Sequence, residues 1–177
     1  MTRTATTTVR LTKIALVTAV VVVLGFLPPI PVGFIPVPIV LQNLGVMLAG
    51  VILGAKDGTI SMLLLFLIGL IIPVFSGGNT QAALISPTAG YIIAWFFVPA
   101  LIAFGLAKLP KQTLAFQFGI IWLFGVLFID ALGAIYLALY THMPIVKSLL
   151  SNLVFIPGDT LKAIVTLIIA NRLAKIK

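Results

Sequence analysis

Residues 157–162 place one acid and one base three positions apart along the chain. Their pattern is Pro157-Gly158-Asp159-x-x-Lys162, and both proline and a carboxylate are favoured in the first turn of a helix. We therefore predict a helix on which Asp159 and Lys162 share one face. A carboxylate beside an ammonium group can bind a ligand that carries both N–H and C=O groups. The alternative is an acid that only starts the helix and a lysine that only extends toward water.

Three further polar groups could contact the same ligand. Gln42 lies at the end of an apolar run and offers both donors and acceptors; the alternative for it is a hydrogen bond between helices. The turn that contains Gly77, Gly78 and Asn79 could hold an anion on its backbone N–H groups, or could be a turn without a ligand. Tyr91 offers an aromatic ring and a hydroxyl group.

Residues suited to catalysis or metal binding are scarce. The chain has three acidic residues, one histidine and no cysteine. This set cannot build a carboxylate-rich metal cage or a thiolate zinc site, so we expect no catalytic residues, no metal and no cofactor. No phosphate-binding G-x-x-x-x-G-K-[ST] pattern occurs either, so the chain is not expected to hydrolyse ATP or to act as an enzyme. Asp130, deep in an apolar run, is either functional, or protonated or hydrogen-bonded across helices.

The composition indicates an integral membrane protein. Of the 177 residues, 62% are hydrophobic and 8% are charged, and the mean hydropathy is +1.31, whereas soluble proteins have about 25% charged residues. A helix of roughly 20 apolar residues spans a bilayer. We therefore predict one all-α membrane domain, residues 1–177, with six transmembrane helices at about 13–27, 38–55, 59–74, 82–107, 114–140 and 158–173.

The positive charges predict the orientation of this domain in the membrane. With six spans, both termini lie on one side, and that side carries Arg3, Arg10, Lys13, Lys56, Lys108, Lys111, Arg172, Lys175 and Lys177. The opposite side carries Lys147 and Lys162. Because cytoplasmic loops are enriched in Lys and Arg, both termini are predicted to be cytoplasmic. This bias also explains the net charge of +8 without a nucleic-acid partner.

The outer loops, at 28–37, 75–81 and 141–157, are expected to border a ligand site. The first is rich in proline and should be extended. The third is long and apolar, which favours a cap or a partial helix. In the first span, Ala15 and Ala19 form a small-x-x-x-small pattern that lets another helix approach closely. That helix belongs either to a partner protein or to this chain.

Five segments of the chain together resemble the BioY family, the biotin-specific S components of energy-coupling-factor (ECF) vitamin transporters. They are residues 33–42 (GFIPVPIVLQ), 53–58 (LGAKDG), 73–78 (PVFSGG), 87–91 (PTAGY) and 152–162 (NLVFIPGDTLK). The resemblance implies the six-helix S-component fold in a bacterial cell membrane, with biotin bound near the outer face. It also implies docking through Ala15 and Ala19 on a membrane T component with two cytoplasmic ATPases. Transport would proceed by toppling of the whole S component.

The chemistry of biotin agrees with the polar residues above. Asp159 could accept a ureido N–H, and Lys162 or Asn152 could donate to the ureido carbonyl. Gln42, Asn79 and the backbone of residues 77–78 would then remain for the carboxylate, with Tyr91 beside the apolar part of the ligand. Some close members of the family have arginine directly after the Gly-Tyr turn, where this chain has Ile92. Another carboxylate such as lipoate, or a channel or structural role, is therefore the alternative.

Overall fold

The computed structural model describes the backbone of residues 3–108 and 113–174, and the side chains of residues 7–108 and 113–173. Within these ranges the chain forms helices joined by turns and extended segments. The helices are α1 (Arg3–Gly25), α2 (Gln42–Ile68), α3 (Thr80–Leu84), α4 (Ala89–Ala107), α5 (Leu114–Trp122), a π-helical turn (Leu123–Leu127), α6 (Phe128–Thr141), α7 (Ile145–Asn152) and α8 (Phe155–Ala174).

Helix α2 is folded back on itself at Gly54. A straight helix of 27 residues would be about 40 Å long, yet the side chain of Gln42 at its start donates to the carbonyl of Val74 just beyond its end, at 2.9 Å. The reversal occurs at Gly54, whose φ of 78° and ψ of −174° are open to glycine and closed to most other residues. The two arms, 42–53 and 55–68, therefore run antiparallel. The separate cytoplasmic loop expected between spans two and three is replaced by this break.

Six segments cross the molecule from end to end: α1, the two arms of α2, α4, the rod formed by α5, the π turn and α6, and α8. By length and apolar composition, four of the described helices are able to span a membrane, or five if α7 and α8, bent by 49°, form one broken span. Each arm of α2 is short for a bilayer, and the two arms together are one of the four helices counted as able to span a membrane. The predicted six-helix membrane architecture is thus confirmed, with two shorter segments in one hairpin.

Several helix limits differ from the predicted limits of the spans. The first span begins earlier than residue 13 and ends at Gly25 rather than 27, ahead of a proline pair that cannot continue a helix. The second begins at Gln42 rather than 38, because Ile30 and Ile39 pair as a short antiparallel bridge. The third ends at Ile68 rather than 74, where Thr80 donates to the carbonyls of Phe66 and Gly69.

The later spans differ for equally local reasons. The run 82–107 is split into α3 and α4, because Pro87 disfavours a helical conformation in the residue before it. The run 114–140 is one rod ending at Thr141 and containing the π turn. The last span begins at Phe155 rather than 158, with Pro157 inside its first turn.

Two of the outer loops form an extended strap and a short helix. Residues 28–37 are extended, as their prolines predict, and form with residues 38–41 a strap between α1 and α2. The third outer loop contains α7, which agrees with the partial helix expected there. Ser148 on α7 donates to the carbonyl of Ala134 at 2.8 Å, and this bond fixes α7 against α6.

The opposite end of the molecule contains the first described residues of α1 and the last described residues of α8. There Arg10 on α1 forms an ion pair with Asp57 just past the break in α2. Of the charges that predict a cytoplasmic position for this end, Lys111, Lys175, Lys177 and the side chain of Arg3 lie outside the described residues.

Candidate ligand-binding site

A cavity of about 290 Å³ lies at the outer end of the molecule. Its wall is assembled from the strap, the start of α2, the turn at 75–78, α3, the start of α4, α6 and α8. This volume is close to the lower limit of cavities that hold small organic ligands. Because its lining comes from distant parts of the chain, the cavity exists only in the folded protein.

The ion pair between Asp159 and Lys162 forms the charged part of the wall. On α8, Lys162 Nζ lies 2.5 Å from Asp159 Oδ1, and the two side chains are 8% and 5% exposed. The ammonium group also donates to the carbonyl of Val40 at 2.6 Å, which ties the strap to α8. The pair places a carboxylate and an ammonium group side by side in the cavity wall.

Two amides at the start of α2 adjoin this pair. Asn43 Nδ2 donates to Asp159 Oδ2 at 3.3 Å. Gln42 Nε2 donates to the carbonyls of Val21 at 3.2 Å and Val74 at 2.9 Å. Gln42 thus forms hydrogen bonds between segments of the chain, as one of its two interpretations predicts. It also lines the cavity.

Tyr91 lines the cavity, and Asn152 lies one step behind it. The hydroxyl of Tyr91 donates to Asn152 Oδ1 at 2.7 Å, and Asn152 Nδ2 donates to the backbone carbonyl of Asp130 at 3.0 Å. The Tyr91 ring packs edge-on against Phe155, with 5.9 Å between ring centroids. Asn152 is therefore placed to orient Tyr91, and it is not part of the cavity lining.

The turn at 75–79 contributes to the cavity with only some of its residues. Ser76 and Gly78 line it, whereas Gly77 and Asn79 do not. The N–H groups of Ser76 and Gly78 donate to carbonyls, and Asn79 accepts from the N–H of Ala82 as the cap of α3. The backbone donors expected to form an anion site are thus largely engaged within the protein.

The comparisons with known proteins agree with this architecture. Residues 1–177 match the sequence model of the BioY family. The chain belongs to the BioY family. It is 55% identical over 172 residues to the biotin transporter BioY of Lactococcus lactis subsp. cremoris, covering 93% of this chain and 90% of that protein. It is 41% identical over 160 residues to the biotin transporter BioY of Rhizobium etli, covering 85% of each.

A solved structure resembles the whole BioY-family chain described here. It is the crystal structure at 2.1 Å of the S-component for biotin from an ECF-type ABC transporter. The two share 48% sequence identity and superpose with a TM-score of 0.93, over 99% of this chain and 95% of the other. The fold predicted from the resemblance is therefore confirmed as the S-component fold.

Sequence reasoning missed most of the residues that line the cavity of this BioY-family chain, among them Trp95 and Asn43. Trp95 lines the cavity, and its ring stacks on Phe75 with 6.2 Å between centroids. Its position four residues after Tyr91, one helical turn further, is a signal that could have identified it. Asn43 was passed over beside Gln42, although both amides interrupt an apolar run.

Ile92 is buried in the cavity wall, with 6% of its surface exposed. Some close BioY-family members were expected to have arginine at this place. An apolar side chain here leaves Lys162 as the only cation among the described residues that line the cavity.

Four buried polar atoms near the cavity have no partner in the described part of the protein. They are Gln42 Oε1, Asn43 Oδ1, Trp95 Nε1 and Asp130 Oδ2, and all four residues line the cavity. Buried polar atoms are nearly always hydrogen-bonded. Three acceptors and one donor on residues that line one cavity therefore indicate a ligand with complementary groups.

Proposed function

We propose that this chain is the biotin-binding S component of an ECF-type importer. The observation that carries the proposal is the set of unpartnered polar atoms around a cavity that also contains the Asp159–Lys162 pair. Membership of the BioY family and the names of the relatives agree with it. Biotin has two ureido N–H donors, a carbonyl acceptor, an apolar ring and chain, and a carboxylate, so it needs acceptors and donors of this kind.

In this proposal the ureido ring lies beside α8. Asp159 accepts one N–H of the ring, and Lys162 donates to the ring carbonyl, because both groups already face the cavity as a buried pair. Charge-assisted hydrogen bonds of this kind are about twice as strong as neutral ones. The rings of Phe75 and Trp95 provide an apolar surface for the thioether ring.

The carboxylate of biotin is proposed to lie toward the mouth of the cavity. The hydroxyl groups of Ser76, Ser86 and Thr88 line the cavity and are half-buried. Ser86 donates to the carbonyl of Ala83 at 2.8 Å and lies 2.6 Å from the hydroxyl oxygen of Thr88. The Thr88 hydroxyl is therefore the one that can rotate to donate to an anion. Among the residues expected to hold the carboxylate, Gly78 fits this position better than Asn79 and Gly77, while Gln42 lies deeper, with no exposed surface.

The energy for transport is proposed to come from partner subunits. The sequence has no phosphate-binding loop of the G-x-x-x-x-G-K-[ST] type, so a membrane T component with two cytoplasmic ATPases would supply ATP hydrolysis. Ala15 and Ala19 on α1 are both exposed, which is what a contact for another helix requires. Toppling of the S component on this module would then turn the cavity toward the cytoplasm.

Biotin titration of the purified protein in detergent tests the proposal, with tryptophan fluorescence as a readout, since Trp95 lines the cavity. We expect saturable binding, and we expect Asp159→Asn to weaken it by roughly 10- to 150-fold, the value of a hydrogen bond to a charged group. Asp57→Asn is the matched control, because it makes the same chemical change at the opposite end of the molecule. Absence of saturable binding, or equal affinity for the wild type and Asp159→Asn, would contradict the proposal.

A further inference from the structure

Asp130 has a buried carboxyl group that the proposed contacts do not use. The residue lies on α6, is 6% exposed and lines the cavity. Its backbone carbonyl accepts from Asn152, but no described residue donates a hydrogen bond to its Oδ2. The fold therefore holds the backbone of Asp130 in place and leaves its side chain without a partner.

The π-helical turn at Leu123–Leu127 determines which way Asp130 faces. In a regular helix, residues 122 and 130 would point about 80° apart, since each residue turns the helix by about 100°. The wider π turn takes up one extra residue, which reduces this offset to about 20°. Trp122 Nε1 donates to Thr160 Oγ1 on α8 at 2.8 Å. Asp130 consequently faces the same side of the rod as Trp122, toward the cavity that α8 borders.

A purely structural role does not account for this carboxyl group. Burying a carboxyl group at membrane depth is costly unless it is hydrogen-bonded or paired. The nearby cation, Lys162, is already engaged by Asp159 and by the carbonyl of Val40. A donor that arrives with the ligand is the partner that the geometry leaves room for.

We propose that Asp130 is a second acidic ligand-binding residue, which accepts one ring N–H of a cyclic urea while Asp159 accepts the other. This assignment rests on the proposed binding of biotin. With this assignment, each N–H of the ureido ring has its own acceptor in the cavity, and Lys162 contacts the ring carbonyl between them. The assignment also fixes the orientation of the ligand, because only the ureido end of biotin carries two N–H donors on either side of a carbonyl.

The test combines variants of Asp130 with ligands that lack one N–H. Biotin and two cyclic carbamate analogues, each with one ring N–H replaced by oxygen, are titrated against wild type, Asp130→Leu and Asp130→Asn. We expect Asp130→Leu to weaken biotin binding by roughly 10- to 150-fold. One carbamate should bind Asp130→Leu at least as well as wild type, because it lacks the N–H that Asp130 accepts and places an oxygen there instead. The other carbamate should keep the loss seen with biotin. Asp130→Asn retains a neutral acceptor and should show a smaller loss.

Thermal unfolding without ligand separates a binding role from a structural one. Asp130→Leu removes an unpartnered polar group, so its Tm should equal or exceed that of the wild type. Ser61→Ala is the control, because it removes a buried hydroxyl that is hydrogen-bonded to Thr18 inside the protein and does not line the cavity; its Tm should fall while its affinity for biotin is unchanged.

The outcomes distinguish this inference from the function on which it rests. If wild type fails to bind biotin, the proposed function is refuted and the inference falls with it. If wild type binds biotin and the Asp130 variants bind it with the same affinity, only the assignment of Asp130 is refuted. The same holds if replacing Asp130 weakens the binding of both carbamates by the same factor. Asp130→Asn supplies the same comparison if Asp130→Leu does not fold.

Discussion

Replacing Lys162 by methionine should destabilise the unliganded protein strongly, because it leaves Asp159 buried without its cation. The side chains of Lys162 and Asp159 are 8% and 5% exposed, and Lys162 Nζ lies 2.5 Å from Asp159 Oδ1. Breaking a buried pair from one side costs about 3–5 kcal/mol. For a chain of this size about 2–4 °C of Tm corresponds to each kcal/mol, so the expected fall is roughly 6–20 °C.

Removing both partners should cost less than removing one. In Asp159→Leu combined with Lys162→Met, no uncompensated charge is left, and apolar replacement of a buried pair is often neutral or stabilising. The measurement is thermal unfolding of wild type, both single variants and the double variant, in the same detergent and without biotin. The Arg10–Asp57 pair provides the control, since it is more exposed and should show a much smaller coupling in the same set of four proteins.

The reasoning fails if the double variant unfolds at or below the Tm of Lys162→Met alone. That result would mean that the two side chains contribute independently to stability. The attachment of the strap through the carbonyl of Val40, rather than charge compensation, would then be the main role of Lys162.

Two further predictions concern the hairpin of α2 and the exposed face of α1. Gly54→Ala should cost about 1–3 kcal/mol of stability through backbone strain alone, because an added Cβ meets no atom within 4 Å. Gly119 is equally open but lies in a regular helix, so Gly119→Ala should raise the stability by up to about 1 kcal/mol. Similar Tm shifts for the two variants would argue against a strained backbone at Gly54. Ala15→Trp with Ala19→Trp should abolish ATP-dependent biotin uptake in vesicles that contain the partner subunits while preserving biotin affinity. Leu114→Trp, an exposed residue on another helix, should preserve both, and loss of binding in the α1 variant would instead indicate packing within the chain.

Sequence patterns identified the charged part of the site because local spacing was sufficient. Asp159 and Lys162 are three residues apart, so any helix through them brings the two side chains to one face. The same logic identified the extended strap from its prolines. Asn79 and Gly77 resembled anion-binding groups for a similar local reason, but the tight turn and the cap of α3 already use the donors around them.

The sequence alone determined the membrane class, the number of crossing segments and the family. Hydropathy, charge bias and short motifs are local properties of the linear sequence, so they can be read without the fold. The remainder of the site depended on contacts between distant residues. Asn43 meets Asp159 across 116 positions of sequence, and Asp130 faces the cavity only because a π turn shifts the register of its rod. No local pattern records which buried atoms lack a partner, since that is known only when every neighbouring segment is in place. The tertiary structure therefore decided which polar residues of a membrane chain are free to meet a ligand.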